Sequence, residues 1–356
     1  MSDFEPFYDV SRSYEDNYEQ GPFGAFAEAL KDGNGADAAG TTSEGASEGA
    51  LATFLGQPVN LPFGIPAGPL LNSRFTTAAF RMGFDLATYK TVRSRAWGCN
   101  PFPNVLAVHP KSADGSLTPG SAELDEGVLA DTNYEQPISI SNSFGVPSQS
   151  PDAWQPDMRA AIEAAGPGQV LVPSFQGSRV EGMSEEEYIA DHATTARLVK
   201  ETGAKLMVMN TSCPNEGHNR LLCHNPLLVG RITEAVKQEI GDIPLMVKLA
   251  YIPSDDALEL MVRSTVGHGT VQGFSTINTI SAKLVDANGN QARLDMVARL
   301  AAIREKLGLD FAINGVGGVV SPADYQAYRD AGADSVMSAT GAMWDAELAH
   351  KIKASR

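Results

Sequence analysis

Eight short apolar runs recur from residue 62 onward, and their spacing restricts the fold more than any other feature. They span residues 62–66, 86–91, 170–176, 205–210, 244–249, 273–278, 311–315 and 335–340. Each is too short for a helix and too continuously apolar for a strand with one wet face, so each reads as a strand covered on both sides. Several of the segments between them carry helix punctuation. Ser184 opens S-E-E-E, a capping box with Glu187 at its third helical position. Asn225 before Pro226 reads as an N-cap and first helical residue, and Gly241 stands where a left-handed C-terminal residue belongs. Ser321, Pro322 and Asp324 begin a further helix that Gly332 ends. Strand–helix repetition of this kind predicts an α/β chain whose parallel strands close into a (β/α)8 (TIM) barrel rather than an open sheet.

At 356 residues the chain is long enough for one such barrel with extensions. Residues 1–50 hold 11 acidic and 2 basic residues, more than half of the net −16. Residues 31–50 contain no Val, Ile, Leu or aromatic residue, so nothing there offsets the entropy of ordering, and they read as a solvated linker or loop. The Phe and Tyr residues within 4–26 suit that stretch for packing on the body. The expected division is an acidic, partly low-complexity N-terminal extension, residues 1–58, and a barrel, residues 59–356. The acidic excess argues against nucleic acid or an anionic membrane as partner, since phosphate recognition needs clustered Lys and Arg. No apolar run approaches the ~18 residues of a membrane span, and MSDFEPFYDV lacks the basic and apolar regions of a signal peptide. Cys99, Cys213 and Cys223 can build neither a disulfide framework nor an ordinary iron–sulfur cluster, and no metal site is expected. The chain reads as a soluble, cytoplasmic protein.

A parallel barrel gathers its chemistry at the C-terminal strand ends and holds phosphate at the turns after strands 7 and 8. Strand 4 ends in NTSCPN, residues 210–215. Cys213, in this polar, proline-stiffened loop, is a candidate base or nucleophile, and Asn210 and Asn215 offer amide donors and acceptors to a planar ligand. Taken alone, such a cysteine is more often an inert buried thiol. Strands 2 and 5 end in Lys90 and Lys248, which point into the mouth; two such lysines imply a bound anion or an electron-rich ring, with a snorkelling surface lysine the plainer alternative for either. Strand 6 ends in Ile277, Asn278 and Thr279, strand 7 runs into GVGG (315–318), and strand 8 ends in Ala339 and Thr340. A Gly-rich turn beside that last pair is where backbone N–H groups can cradle a phosphate. NSFGVPS, residues 142–148, reads by itself as a surface turn.

Taken in order, these pieces resemble the dihydroorotate dehydrogenase family, FMN-dependent barrels of pyrimidine metabolism. The resemblance spans roughly residues 60–342 and runs through AG (67–68), YKT (89–91), CNPFPN (99–104), NSFGVP (142–147), NTSCPN (210–215), VKL (247–249), NT (278–279), GVGG (315–318) and AT (339–340). It implies oxidation of dihydroorotate to orotate in de novo pyrimidine (UMP) biosynthesis, with hydride passing from C6 to flavin N5 and Cys213 as the base at C5. Relatives that use quinone carry Ser at that position and an N-terminal membrane-binding segment, so the cysteine resembles the soluble class 1 branch. By the same resemblance Asn142, the backbone of Phe144, Gly145 and Val146, and Asn210, Asn215, Asn278 and Thr279 hold orotate. Lys90 touches substrate and flavin, and Lys248 stands at the electron-rich edge of the isoalloxazine. Ala67, Gly68, Thr91, Asn210 and Ile277 contact the flavin, and Gly317, Gly318, Ala339 and Thr340 cradle the FMN phosphate. The resemblance also implies a homodimer and, in one branch, a separate electron-transfer subunit.

The chain is a divergent match. Residues 281–310 show DANGNQ and a helix-like run where the family has a Gly-rich flavin turn, Ala339 replaces a glycine, and residues 113–127 read as an inserted loop near the barrel mouth. Two readings compete with the first. A dihydrouracil or dihydrothymine dehydrogenase-like pyrimidine reductase would have His after the Cys-Pro, where this chain has Asn215. A non-catalytic FMN-binding barrel would have lost Cys213 or Lys90.

Overall fold

The computed structural model describes residues 5–31, 52–111, 121, 124, 126–135, 138–212, 221–279, 284–285 and 293–356. Its barrel strands are β1 (Phe63–Ile65), β2 (Leu86–Val92), β3 (Val170–Phe175), β4 (Met207–Asn210), β5 (Leu245–Leu249), β6 (Gly273–Thr276), β7 (Ala312–Val316) and β8 (Ser335–Met337). Each pairs in parallel with its neighbours in chain order, and β8 returns to β1 with Val336 opposite Phe63, so the barrel is closed. These are the eight apolar runs of the sequence. Between them lie α1 (Ser73–Arg81), α2 (Pro151–Glu163), α3 (Glu185–Lys200), α4 (Pro226–Ile240), α5 (Asp255–Thr265), α6 (Arg293–Leu307) and α7 (Pro322–Asp330), followed after β8 by α8 (Thr340–Trp344) and α9 (Leu348–Ala354).

The caps form where the sequence places them. Ser184 and Glu187 close the capping box of α3, and Asn225 accepts from the Leu228 N–H at the start of α4. Gly241 ends α4 at φ 66°, and Ser321 caps α7. Side-chain alternation then sorts each strand into two faces. On β5, Val247 packs outward against the helices, while Met246 and Lys248 face the barrel interior. The lower interior is filled by Leu86, Val170, Val172, Val208, Met246 and Met337. A hairpin, Ala52–Phe54 with Gln57–Val59, plugs it from below with Phe54 and Val59.

Part of the N-terminal segment joins the core between the barrel and its helices. Phe7, Tyr8, Tyr14 and Phe26 are buried, Phe7 stacks on Phe26 at 4.2 Å, and Phe7 meets Phe75 of α1 edge-on. Residues 32–51, which hold nearly all of the low-complexity stretch, lie outside the described residues. Between β2 and α2 a small sheet forms from Ala107–His109, Val128–Asp131 and Ser139–Ile140, with Leu284–Val285 alongside. Most of the inserted loop at 113–127 lies outside the described residues, and the strands flanking it build this sheet. Tyr134 stacks on Trp344 at 5.5 Å, fastening the insertion to α8.

Candidate active site

The C-terminal mouth of the barrel opens into a cleft with two connected chambers. Ala67, Gly68, Asn142, Phe144, Lys248, Asn278 and Thr279 line both. The first chamber continues past Ile277 to Gly317, Gly318, Ala339 and Thr340. The second continues to Lys90, Thr91, Gly145, Val146 and Asn210. Every sequence-predicted site residue within the described part of the chain therefore lines one cleft. Cys213 and Asn215 lie outside the described residues.

Local strand geometry explains how neighbouring residues reach the same cavity. On β2, Tyr89 pairs with Pro173 and Val92 with Phe175, so one extra residue bulges out of β2. The bulge turns both Lys90 and Thr91 toward the mouth, where strict alternation would have separated them. Thr91 Oγ1 lies 2.8 Å from Ser174 Oγ of β3. The Lys90 ammonium sits 5.5 Å from the centre of the Phe144 ring. Gly317 and Gly318, at φ 112° and 69°, turn the chain away from β7 in conformations that favour glycine.

An amide chain spans three strand ends. Asn210 Nδ2 donates to Gln176 Oε1 at 2.6 Å, Ser212 Oγ donates to Asn210 Oδ1 at 2.9 Å, and Asn278 Nδ2 donates to Ser212 Oγ at 2.8 Å. These bonds fix which end of each amide is oxygen and which is nitrogen, and so fix the donor and acceptor pattern offered to a ligand.

Among the described residues lining the cleft, two are buried cations. Lys90 is 6% exposed and Lys248 is 5% exposed. Burial, assisted by the positive charge of Lys90, pulls the Lys248 ammonium down to about 8. Among the described residues no carboxylate pairs with Lys248, which faces the cleft from the centre of the barrel. Cys99, near the mouth, is pushed up to about 11 by burial and the Glu15 carboxylate, so it is a protonated thiol at neutral pH.

Sequence reasoning missed three residues at the site. Tyr8, from the N-terminal segment, lines the first chamber and packs edge-on against Phe144 at 5.6 Å. Its hydroxyl is buried and has no hydrogen-bond partner among the described residues. Asn100 lines the second chamber, with its backbone N–H on the Phe144 carbonyl. Gln176 orients Asn210. The aromatic residues at 7, 8 and 14 were the available signal for Tyr8, and the CNPFPN motif already contained Asn100.

Comparison with known proteins agrees with this geometry. The family model described as Dihydroorotate dehydrogenase matches residues 53–355. A Dictyostelium discoideum protein named dihydroorotate dehydrogenase is 32% identical over 97% of this chain and 96% of its own length. The catalytic subunit of an Enterococcus faecalis dihydroorotate dehydrogenase B (NAD(+)) is 25% identical over 51% of each chain. The crystal structure of an Eimeria tenella DHODH in complex with ferulenol shares the fold, with a TM-score of 0.64 at 17% identity, covering 86% of this chain and 82% of that one. Among the described residues no helix is long and apolar enough to cross a membrane. Eight parallel strands, a two-chambered cleft at their C-terminal ends and a full-length relative lead to one assignment: the chain belongs to the dihydroorotate dehydrogenase family.

Proposed function

We propose that the protein oxidises dihydroorotate to orotate on the class 1-like plan, with FMN as its cofactor and Cys213 as its base. The observation that carries this reading is Lys248, a buried cation without a carboxylate partner among the described residues, standing where the two chambers meet. A cation held this way is complementary to an electron-rich ring. The rest of the cleft fits FMN as well. Gly317, Gly318, Ala339 and Thr340 at one end suit a phosphate, and Ala67, Gly68 and Ile277 offer apolar surface to a flat ring system. Asn142, Asn210 and Asn278 suit a ligand of alternating C=O and N–H groups.

FMN, when bound, supplies the hydride acceptor. The protein's part is to orient and to move one proton. The amide chain through Gln176, Asn210, Ser212 and Asn278 holds the substrate ring in plane. The Gly145–Val146 turn receives the substrate carboxylate on backbone N–H groups. Lys248 stabilises negative charge gathering at the cofactor edge, and Cys213 takes the C5 proton. The thiolate is the working form of that base, so turnover rises toward alkaline pH as the thiol ionises. The cytoplasmic setting belongs to this reading, as does the homodimer that the family resemblance implies. Reoxidation by a separate electron-transfer subunit is supported by the likeness to the NAD(+)-linked catalytic subunit.

Anaerobic bleaching of the yellow protein tests the reading. Dihydroorotate is expected to remove the oxidised-flavin absorbance rapidly, and dihydrouracil is expected to leave it unchanged. Bleaching by dihydrouracil alone would move the chain to the pyrimidine-base reductases. A yellow protein that neither compound bleaches, or a colourless one, would overturn the assignment.

A further inference from the structure

Among the described residues only Leu55 and Val146 are non-glycine residues with φ in the left-handed region. Leu55 sits in a hairpin turn beside Gly56. Val146, at φ 58° directly after Gly145 at φ 74°, lines the amide-rich chamber. A β-branched residue resists this conformation more than most, and persists in it only where its surroundings impose it.

Arg93 holds the carbonyl of this residue. Its side chain is almost wholly buried yet does not line the cleft. Nε donates to the Val146 carbonyl at 3.0 Å, and one terminal nitrogen donates to the Gly177 carbonyl at 3.0 Å and to Ser178 Oγ at 3.3 Å. The guanidinium lies 4.5 Å from the centre of the Trp97 ring. The backbone at Arg93 is fixed too: its N–H donates to Ser148 Oγ at 3.0 Å, and Trp154 Nε1 donates to its carbonyl at 3.1 Å. One charged fork thus ties the end of β2, the start of the β3–α3 loop and the 144–148 turn together. The planar donor set of arginine suits three acceptors in fixed directions, which a lysine ammonium cannot reproduce.

We propose that Arg93 is a positioning residue for substrate binding. It holds the Val146 carbonyl and the peptide plane that carries it, which restrains the turn so that the Gly145–Val146 backbone faces the substrate carboxylate. The inference rests on the reading of that turn as part of the substrate site. Freed from Arg93, Val146 would relax toward negative φ, and the peptide plane carrying its N–H would rotate away from the chamber.

The test uses the flavin-loaded enzyme and four variants: Arg93→Met, Arg93→Lys, Val146→Gly, and Arg93→Met with Val146→Gly. Far-UV circular dichroism and flavin content identify the folded, loaded proteins. For Arg93→Met, KM for dihydroorotate and the calorimetric Kd of orotate are expected to rise together by roughly tenfold to hundredfold. The change in kcat is expected to be much smaller, because orientation of the bound carboxylate is lost rather than the base. Val146→Gly, which adopts positive φ freely, is expected to recover a large part of that loss in the double variant. Arg93→Lys should fall between, and it carries the test if Arg93→Met does not fold. Hydrogen exchange across 144–148 needs no substrate and should quicken in Arg93→Met. A folded Arg93→Met enzyme with wild-type KM, Kd and exchange overturns the proposal, as does a KM rise that Val146→Gly leaves untouched. Wild-type flavin that dihydroorotate does not reduce refutes the functional reading instead, and the exchange result then decides the positioning role alone.

Discussion

Replacing Lys248 by Met separates what the buried charge costs the fold from what it gives the site. Methionine keeps the length of the lysine stem and its packing and removes the ammonium. In the ligand-free protein the ammonium is drawn down from an ordinary 10.5 to about 8, chiefly by burial and then by Lys90. At 1.36 kcal/mol per unit, the folded state gives up about 3 kcal/mol to keep this charge at pH 7. A folded-state value below the unfolded one means that the unfolded chain holds the proton more tightly between about 8 and 10.5. The penalty is therefore full below about pH 8 and fades as pH rises toward 10.5. Lys248→Met apoprotein is expected to be up to about 3 kcal/mol more stable than wild type at pH 7, a Tm rise of roughly 4 °C for a chain of this size. The advantage should shrink steadily between pH 8 and 10. Scanning calorimetry or denaturant unfolding of both apoproteins at pH 6, 7, 8, 9 and 10 reads this directly. FMN affinity, measured by quenching of flavin fluorescence, should move the opposite way and fall in the variant. No gain in stability at pH 7, or a gain independent of pH, would refute the reasoning.

Two further outcomes follow from the same site. Cys213→Ala should retain FMN and lose most dihydroorotate oxidation, since only the proton acceptor is removed; stopped-flow reduction that matches wild type at every pH would refute the base assignment. Tyr8→Phe removes a buried hydroxyl that has no partner among the described residues, so chemical denaturation should show stability unchanged or raised by about 1 kcal/mol; a loss above ~1 kcal/mol would mean that the hydroxyl is bonded in solution.

The barrel was legible because its signals are local. A continuous apolar run such as 244–249 and a cap such as Ser184 with Glu187 depend on residues a few positions apart, and both formed as read. Lys90 and Lys248 were legible for the same reason, since a lysine on the inner face of a buried strand has only the mouth to reach. The small sheet was not legible, because strands of two to four residues such as Ser139–Ile140 carry no usable period. Tyr8 was hidden by distance: at the cleft its ring packs on Phe144, far along the chain, and nothing near residue 8 encodes that partner. Nothing in VRSRAWG, residues 92–98, sets Arg93 apart from Arg95. The burial of Arg93 depends on carbonyls from two other loops, a relation that sequence spacing does not record.

The closure of the barrel has a consequence for its synthesis. Phe63 of the first strand stands opposite Val336 of the last, and its ring packs between Phe84 at 5.6 Å and Tyr325 at 5.7 Å. Phe84 leaves the ribosome soon after Phe63, but Tyr325 and Val336 follow only after more than two hundred further residues. At about 5–20 residues per second, the open edge of the first strand waits on the order of tens of seconds for its partner. During that interval the nascent chain offers a ready template for pairing with another chain. The aromatic residues of the N-terminal segment are synthesised before that strand, and Phe26 contacts Phe84 directly. They are in place to cover the growing core while its other half is still being translated.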